Sequence, residues 1–195
     1  NKTRTKLSNG RNCRDSLFFR SSANRSVMLT VIIETKNSEE GLARTLGPLV
    51  SGAVNGLLRE VIVHDWGSTD HTRRAGEQAG CTVIEGGSLS GAISRAKGDW
   101  ILFLEPGSRL SEGWIESIDR HTGLGQGPAR FSRSRAGQPG FLSRMVKRET
   151  ALADGLLITK KQALALSRDT NKRAEDLARG LSARRMHAEI VLAGR

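Results

Sequence analysis

Tyrosine is absent from this chain, only two cysteines are present, and aromatic residues make up 4% of it. Few rings are available to stack nucleobases, which counts against a nucleic-acid binder of the stacking type. Cys13 and Cys81 stand without CxxC or Cys/His spacing, so neither a disulfide nor a zinc site is expected, and both thiols read as reduced and inert. No apolar run approaches the roughly 18 residues a membrane span needs, and Leu17-Phe18-Phe19 is far too short for a secretory signal core. The expectation is a cytoplasmic protein, with peripheral contact at the inner face of the membrane left open.

What is present fits one globular domain: 195 residues, 37% of them hydrophobic, with ordinary charge content. The net charge of +11 is uneven, because residues 1–27 hold seven basic side chains against the single acid Asp15. More than half of the excess therefore lies in a Ser/Asn-rich segment without hydrophobic periodicity, which reads as a disordered basic extension or an appended leader. Residues 28–195 read as the folded domain.

Within that domain short apolar runs alternate with amphipathic segments, the pattern of βαβ units around a parallel sheet. LTVIIE (29–34), VIVH (61–64), CTVIE (81–85) and WILFLE (100–105) are strands. Ser38 caps a helix with Leu42, Leu46, Leu49 and Val50 on one face, which Pro48 limits. Further helices are expected over about 70–79 and 92–97, and from Ser111 onward with Trp114, Ile115 and Ile118. Residues 122–148, rich in glycine and arginine, read as loop or edge strand. Then follow a strand GLLIT, a helix KKQALALS, a helix from Lys172 to Met186, and a closing strand AEIVLAG. No internal repeat, phosphate loop GxxxxGK[ST] or GxSxG is present.

The richest stretch is EVIVHDWGSTDHT (60–72), where β-branched residues stop at Asp65, Gly67 permits a tight turn, and Ser68, Thr69 and Asp70 are helix-capping types. In open parallel sheets ligands sit outside the carboxyl ends of the strands, where Asp65 would stand. The segment resembles VIVVDDGSTDGT of the family 2 glycosyltransferases, IIETKNSEEGLARTL resembles their IIPTYNEEENLxxTL, and WILFLEPGSRL resembles YVLFLDADDxL. The resemblance implies a GT-A fold: α/β, an open, mostly parallel sheet flanked by helices in a single domain. It also implies transfer of a sugar from a nucleoside-diphosphate sugar to an unknown hydroxyl acceptor with inversion, and no specific nucleic-acid partner.

Carried over residue by residue, the resemblance makes Thr35, Glu39, Asp65 and Ser68 nucleotide-contact candidates. It sets His64 at the acid preceding Asp65 and Glu105 at the first acid of the metal motif. Gly107, at the second acid, cannot ligate through a side chain, so Mg²⁺ or Mn²⁺ would depend on water and substrate phosphates. In the C-terminal part, ALADGLLITKKQAL resembles GDQGxFxRRxxF and RAEDLARGLSARR resembles EDxDLxxRLRRxG. Asp154 thus becomes an acceptor-side acid, and Asp176 or Glu175 the general base. Each has a plainer reading that stays open: Asn37, Ser38 and Glu39 as helix caps, Asp65 as acceptor for its own turn, Glu105-Pro106-Gly107 as a strand-ending turn, Glu175 and Asp176 as first-turn acids stabilised by the helix dipole. Two rival functions remain beside transfer. One is a pseudoenzyme that binds nucleotide sugar without catalysis, and the other a basic binder of nucleic acid or anionic membrane surfaces through residues 1–27 and 128–148.

Overall fold

The computed structural model describes residues 27–134, 150–168 and 172–192. The basic extension, Cys13 and the arginine-rich 135–149 lie outside the described residues. The strands are β1 (Leu29–Thr35), β2 (Leu58–Asp65), β3 (Thr82–Glu85), β4 (Trp100–Leu104), β5 (Arg109–Leu110), β6 (Ala129–Arg133), β7 (Leu156–Thr159) and β8 (Arg184–Val191). The helices are α1 (Glu39–Asn55), α2 (Thr72–Gln78), α3 (Leu89–Arg95), α4 (Trp114–Gly123), α5 (Lys160–Leu166) and α6 (Ala174–Arg179). All eight strands form one sheet in the order β3-β2-β1-β4-β7-β6-β8-β5. The pairs β3–β2, β2–β1, β1–β4 and β6–β8 are parallel, while β7 is antiparallel to both β4 and β6, and β5 to β8.

Both faces of the sheet are covered, which is why its central strands read as continuous apolar runs rather than alternating ones. Leu29, Val31 and Ile33 of β1 point to one side, against Leu42 and Leu49 of α1 and Trp114 and Ile118 of α4. Ile32, Ile62, Ile101 and Phe103 point to the other, against Leu89 and Ile93 of α3, Ala163 of α5 and Leu177 of α6. Each such fully buried side chain contributes about 1.5–3 kcal/mol. Burial pushes the Cys81 thiol up to about 11, so at neutral pH it is protonated. No helix among the described residues is long and apolar enough to cross a membrane.

Several local expectations are corrected. Helix α1 passes through Pro48 and runs 17 residues, because Leu42, Thr45, Leu49 and Gly52 hold its stripe against the sheet and packing overrides the lost backbone bond. Val50 lies one position off that stripe and is 62% exposed. Ser38 makes no side-chain cap, its hydroxyl donating to the Lys36 carbonyl instead. Ser88 is the residue that caps α3, accepting from the Gly91 N–H, so this helix starts at Leu89 rather than near 92. Ser111 does not open α4 but donates to the Glu189 carbonyl across the β5–β8 pair. Residues 129–133 are an interior strand, with Ala129 and Phe131 fully buried. The helix expected over 172–186 ends at Arg179, because Met186, Ala188 and Ile190 alternate inward with the period of a strand.

The glycine before Asp99-Trp100 is fixed by space. A Cβ on Gly98 would lie 2.6 Å from both the Met28 carbonyl oxygen and the Thr30 nitrogen, backbone atoms that cannot swing away. Gly98→Ala is expected to lower stability by about 1–3 kcal/mol. Gly123→Ala, in the last turn of α4 with nothing within 4 Å, should instead leave it unchanged or raise it by up to about 0.5–1 kcal/mol. Thermal unfolding of the two variants checks this; equal melting temperatures would contradict the close approach.

Candidate functional site

Parallel strands β1, β2 and β4 end together, at Thr35, Asp65 and Leu104, and their loops make one rim. β1 feeds α1 through Lys36-Asn37-Ser38, and β2 feeds α2 through residues 66–71. These two loops are knitted. Thr35 Oγ1 donates to Asp65 Oδ1 at 2.9 Å, Ser68 Oγ to the same oxygen at 2.5 Å, and the Gly67 and Ser68 N–H groups to Oδ2 at 3.1 and 2.8 Å. The Asn37 N–H donates back to Ser68 Oγ at 2.8 Å, and Asn37 Oδ1 accepts from the Thr69 N–H at 2.7 Å. Asn37 holds φ 49°, the left-handed region that asparagine tolerates. Asp70 adds a second stitch, accepting from the Thr72 N–H at 3.0 Å and from the Glu39 N–H at 3.4 Å.

Asp65 is wholly buried, and burial by itself pushes its carboxyl up. The Ser68 hydroxyl and N–H, with Thr35 and Gly67, outweigh that and hold the group below 3.8. Three of the four nucleotide-contact candidates, Thr35, Asp65 and Ser68, are thus brought into one hydrogen-bonded unit that builds the rim. Glu39 lies exposed in the first turn of α1 beside it.

Behind this unit, on the opposite face of the sheet, is a cluster that sequence reasoning did not assemble. Glu34 pairs with His64 in register. Its Oε1 accepts from Trp66 Nε1 at 2.9 Å and lies 3.7 Å from His64 Nδ1, while Oε2 accepts from the Ala174 N–H at the start of α6 at 2.7 Å. His64 is fully buried, with Nε2 2.9 Å from the Gly86 carbonyl oxygen. The Trp66 ring, at the rim end of this cluster, has its centroid 4.7 Å from that of the tilted His64 ring and the Arg173 guanidinium 4.5 Å from its own centroid. A charged residue breaking the apolar run of β1 beside a histidine was the available signal; nothing local marked Arg173.

The Gly67-Ser68-Thr69-Asp70 turn fixes the register of the family motif. Counted back from it, VIVVDDGSTDGT sets Asp65 at the first acid of the pair and Trp66 at the second. The replaced acid is therefore at Trp66, not at His64, which is a core position of β2.

At the end of β4, Glu105 accepts from the Thr150 hydroxyl. Gly107 adopts φ 94°, and its N–H donates to the Gly41 carbonyl and to Thr45 Oγ1, each at 2.8 Å. An acid there would strain the backbone by about 1–2 kcal/mol, so the second carboxylate of the metal motif is lost through chain geometry as well as composition. Among the described residues no group of three or more His, Cys, Asp or Glu side chains could hold a metal ion. The residues present do not make the two-acid site of the family motif.

Antiparallel β7 returns the chain to the same rim, with Leu156 opposite Phe103, so Asp154 and Gly155 stand beside Glu105. Asp154 is buried between two cations, Arg133 Nε at 2.5 Å on Oδ1 and Arg185 Nη2 at 3.0 Å on Oδ2. Asp176 Oδ2 accepts from the Arg173 N–H at 2.9 Å and so closes the first turn of α6, while Glu175 pairs with Arg179 at 2.5 Å. Both acids keep partly exposed side chains.

The fold is that of the GT-A nucleotide-diphospho-sugar transferases. Residues 30–118 match the family model described as glycosyl transferase family 2, a stretch that includes both knitted loops, Glu105 and Gly107. No curated protein matches the chain. Among solved structures, TarS (1–349) of S. aureus superposes with a TM-score of 0.60 at 19% identity over 87% of this chain and 59% of that one. The same protein in complex with UDP gives 0.59 at 18% identity, with the same coverages of 87% and 59%. Glucosyl-3-phosphoglycerate synthase from Mycobacterium tuberculosis, in complex with Mn²⁺, UDP and glucosyl-3-phosphoglycerate, gives 0.54 at 16% identity, covering 87% of this chain and 73% of that one. The chain spans about 59% of the length of the TarS structure it matches.

The Asp65 unit sets a test by pH. Because the folded carboxyl is held below its ordinary value, its contribution to stability is present above 3.8 and lost as pH falls through the folded value. Asp65→Asn is expected to cost about 2 kcal/mol or more at neutral pH, since hydrogen bonds to a charged acceptor are worth about 1.5–3 kcal/mol. The gap between wild type and variant should narrow below 3.8. Urea unfolding across acid pH measures it, and a gap unchanged into strong acid would contradict the assignment.

Proposed function

We propose that this chain binds a nucleoside-diphosphate sugar across the rim of β1, β2 and β4 and transfers the sugar to a hydroxyl acceptor. The observation that carries the reading is the knit of the two loops around Asp65, at the carboxyl ends of adjacent parallel strands where open α/β sheets bind nucleotides. Thr35, Asp65 and Ser68 hold the floor and Glu39 stands at its edge. The partly exposed Trp66 ring, which follows Asp65 directly and has Arg173 over it, stands where it can meet the base at the edge of the rim. The solved relatives carry UDP, which makes a uridine nucleotide the first to try.

In transfer, the acceptor oxygen forms its bond to the anomeric carbon, the bond from that carbon to the diphosphate breaks with inversion, and the acceptor proton passes to a carboxylate. Asp176 suits the base role best, since one of its oxygens is taken by a backbone N–H and its side chain is 45% exposed. Glu175 is the neighbouring alternative. Asp154, held on both oxygens by guanidinium groups, serves instead to position Arg133 and Arg185. Mn²⁺ accompanies UDP in the mycobacterial relative. In this chain Glu105 alone stands at the corresponding motif, so Mg²⁺ or Mn²⁺ would rest on Glu105 and the substrate's phosphates.

The φ of 94° at Gly107 favours a second reading, binding without transfer, because the acid position has been remodelled in backbone and side chain together. Turnover lost in Asp176→Asn with nucleotide affinity unchanged would rule that reading out.

Isothermal titration with UDP, GDP and dTDP sugars, with and without Mn²⁺, tests the proposal. Saturable binding of at least one is expected, weakened about tenfold or more in Trp66→Ala, since base–aromatic stacking is worth about 1–3 kcal/mol. Absence of binding with every donor contradicts it.

A further inference from the structure

Beside the rim, on the face covered by α6, lies a concavity of about 360 Å³ lined by Arg130, Ala151, Ala178, Arg179, Leu181, Ala183 and Arg185. Three alanines and Leu181 make its apolar lining, and its polar lining consists of three arginines. That size falls in the range of small-molecule sites. Its position follows from the chain: Ala151 is next to Thr150, which bonds Glu105, and Arg179 lies one turn along α6 from Glu175 and Asp176.

The cations here are held in place more firmly than they are neutralised. Arg130 Nη1 donates to the Ala151 carbonyl at 3.1 Å, and Nη2 donates to the carbonyls of Ala178 and Leu181. No carboxylate pairs with Arg130 among the described residues, and its Nε–H is buried without an acceptor. Arg185 shares the single charge of Asp154 with Arg133, and its Nη1 donates to the Phe131 carbonyl at 3.2 Å. Arg179 is the one wall cation with carboxylates of its own, Glu175 and Asp176. A guanidinium fixed on carbonyls, beside a second that has half a counter-charge, is an arrangement an anion completes. Planar guanidinium forks match the oxygens of phosphate and carboxylate groups.

We propose that this cavity binds the anionic group, a phosphate or a carboxylate, of an acidic acceptor substrate, and so orients the acceptor hydroxyl toward the acids at the start of α6. The word acceptor rests on the transferase reading above, while the anion site itself stands on the arginines.

The test keeps the two apart. Inorganic phosphate and, separately, acetate are titrated into the 195-residue protein at constant ionic strength set with chloride, with and without saturating UDP, and the titrations are repeated on Arg179→Gln. Arg179 is exposed and outside the core, so the variant should fold, which circular dichroism checks. Saturable binding of phosphate that persists with UDP present and weakens about tenfold in Arg179→Gln supports the site and makes the acceptor a phosphate ester. The same behaviour with acetate alone supports it with a carboxylate acceptor. Binding no tighter than chloride, binding abolished by UDP, or binding unchanged in Arg179→Gln overturns it. Should UDP fail to bind, the nucleotide reading falls, and the phosphate and acetate arms still decide the anion site.

Discussion

Everything at the rim depends on one buried carboxylate. Asp65 receives four hydrogen bonds, from a side chain on its neighbouring strand and from three groups of its own turn, and through Ser68 it also fixes Asn37. Taking a carboxylate out of water is costly unless its lone pairs are met. Here they are met by the two loops that must be held in register for α1 and α2 to leave the sheet where they do. The group that resemblance makes a nucleotide contact is first of all the knot that gives a nucleotide somewhere to sit.

A second carboxylate does for the far half of the molecule what Asp65 does for the near half. Glu34 reaches from the end of β1 to the first N–H of α6, joining residues 140 positions apart, and holds Trp66 by its indole N–H. The helix that carries Glu175 and Asp176 is thereby anchored to the strand end that carries the nucleotide candidates. Stiffness at such a joint matters for transfer chemistry, because reacting groups misplaced by about 1 Å can cost about a hundredfold in rate. The same logic explains why Asp154 is sunk between Arg133 and Arg185. Its charge organises those two cations beside the rim.

The fold was largely legible because its determinants are local. β-branched runs ending at Thr35 and Asp65, and glycine and capping residues at the turns, each dictate short-range structure. The features that escaped are set by partners distant in sequence. β6 reads as glycine- and arginine-rich loop or edge strand until β7 and β8 flank it. Residues 184–186 read as the end of a helix from Lys172, yet Met186 turns inward with Ala188 and Ile190 once β6 pairs alongside. Pro48 reads as a limit on α1 because its cost is local, whereas Leu49 and the Gly52–Trp114 contact that overcome it are tertiary. At the site, Asp65 was legible as a strand-end acid. Its full set of donors was not, because Thr35 and Asn37 approach from another loop. Arg173 over Trp66 left no trace in the sequence at all.

The most direct measurement is a crystal structure of the chain grown or soaked with UDP and Mn²⁺. Uracil is expected at the rim beside Thr35 and Asp65 and within reach of Trp66, with the Asp65 hydrogen bonds intact and the diphosphate directed toward Glu105. UDP seated elsewhere on the molecule, or a rim that stays empty at saturating nucleotide, would contradict that placement.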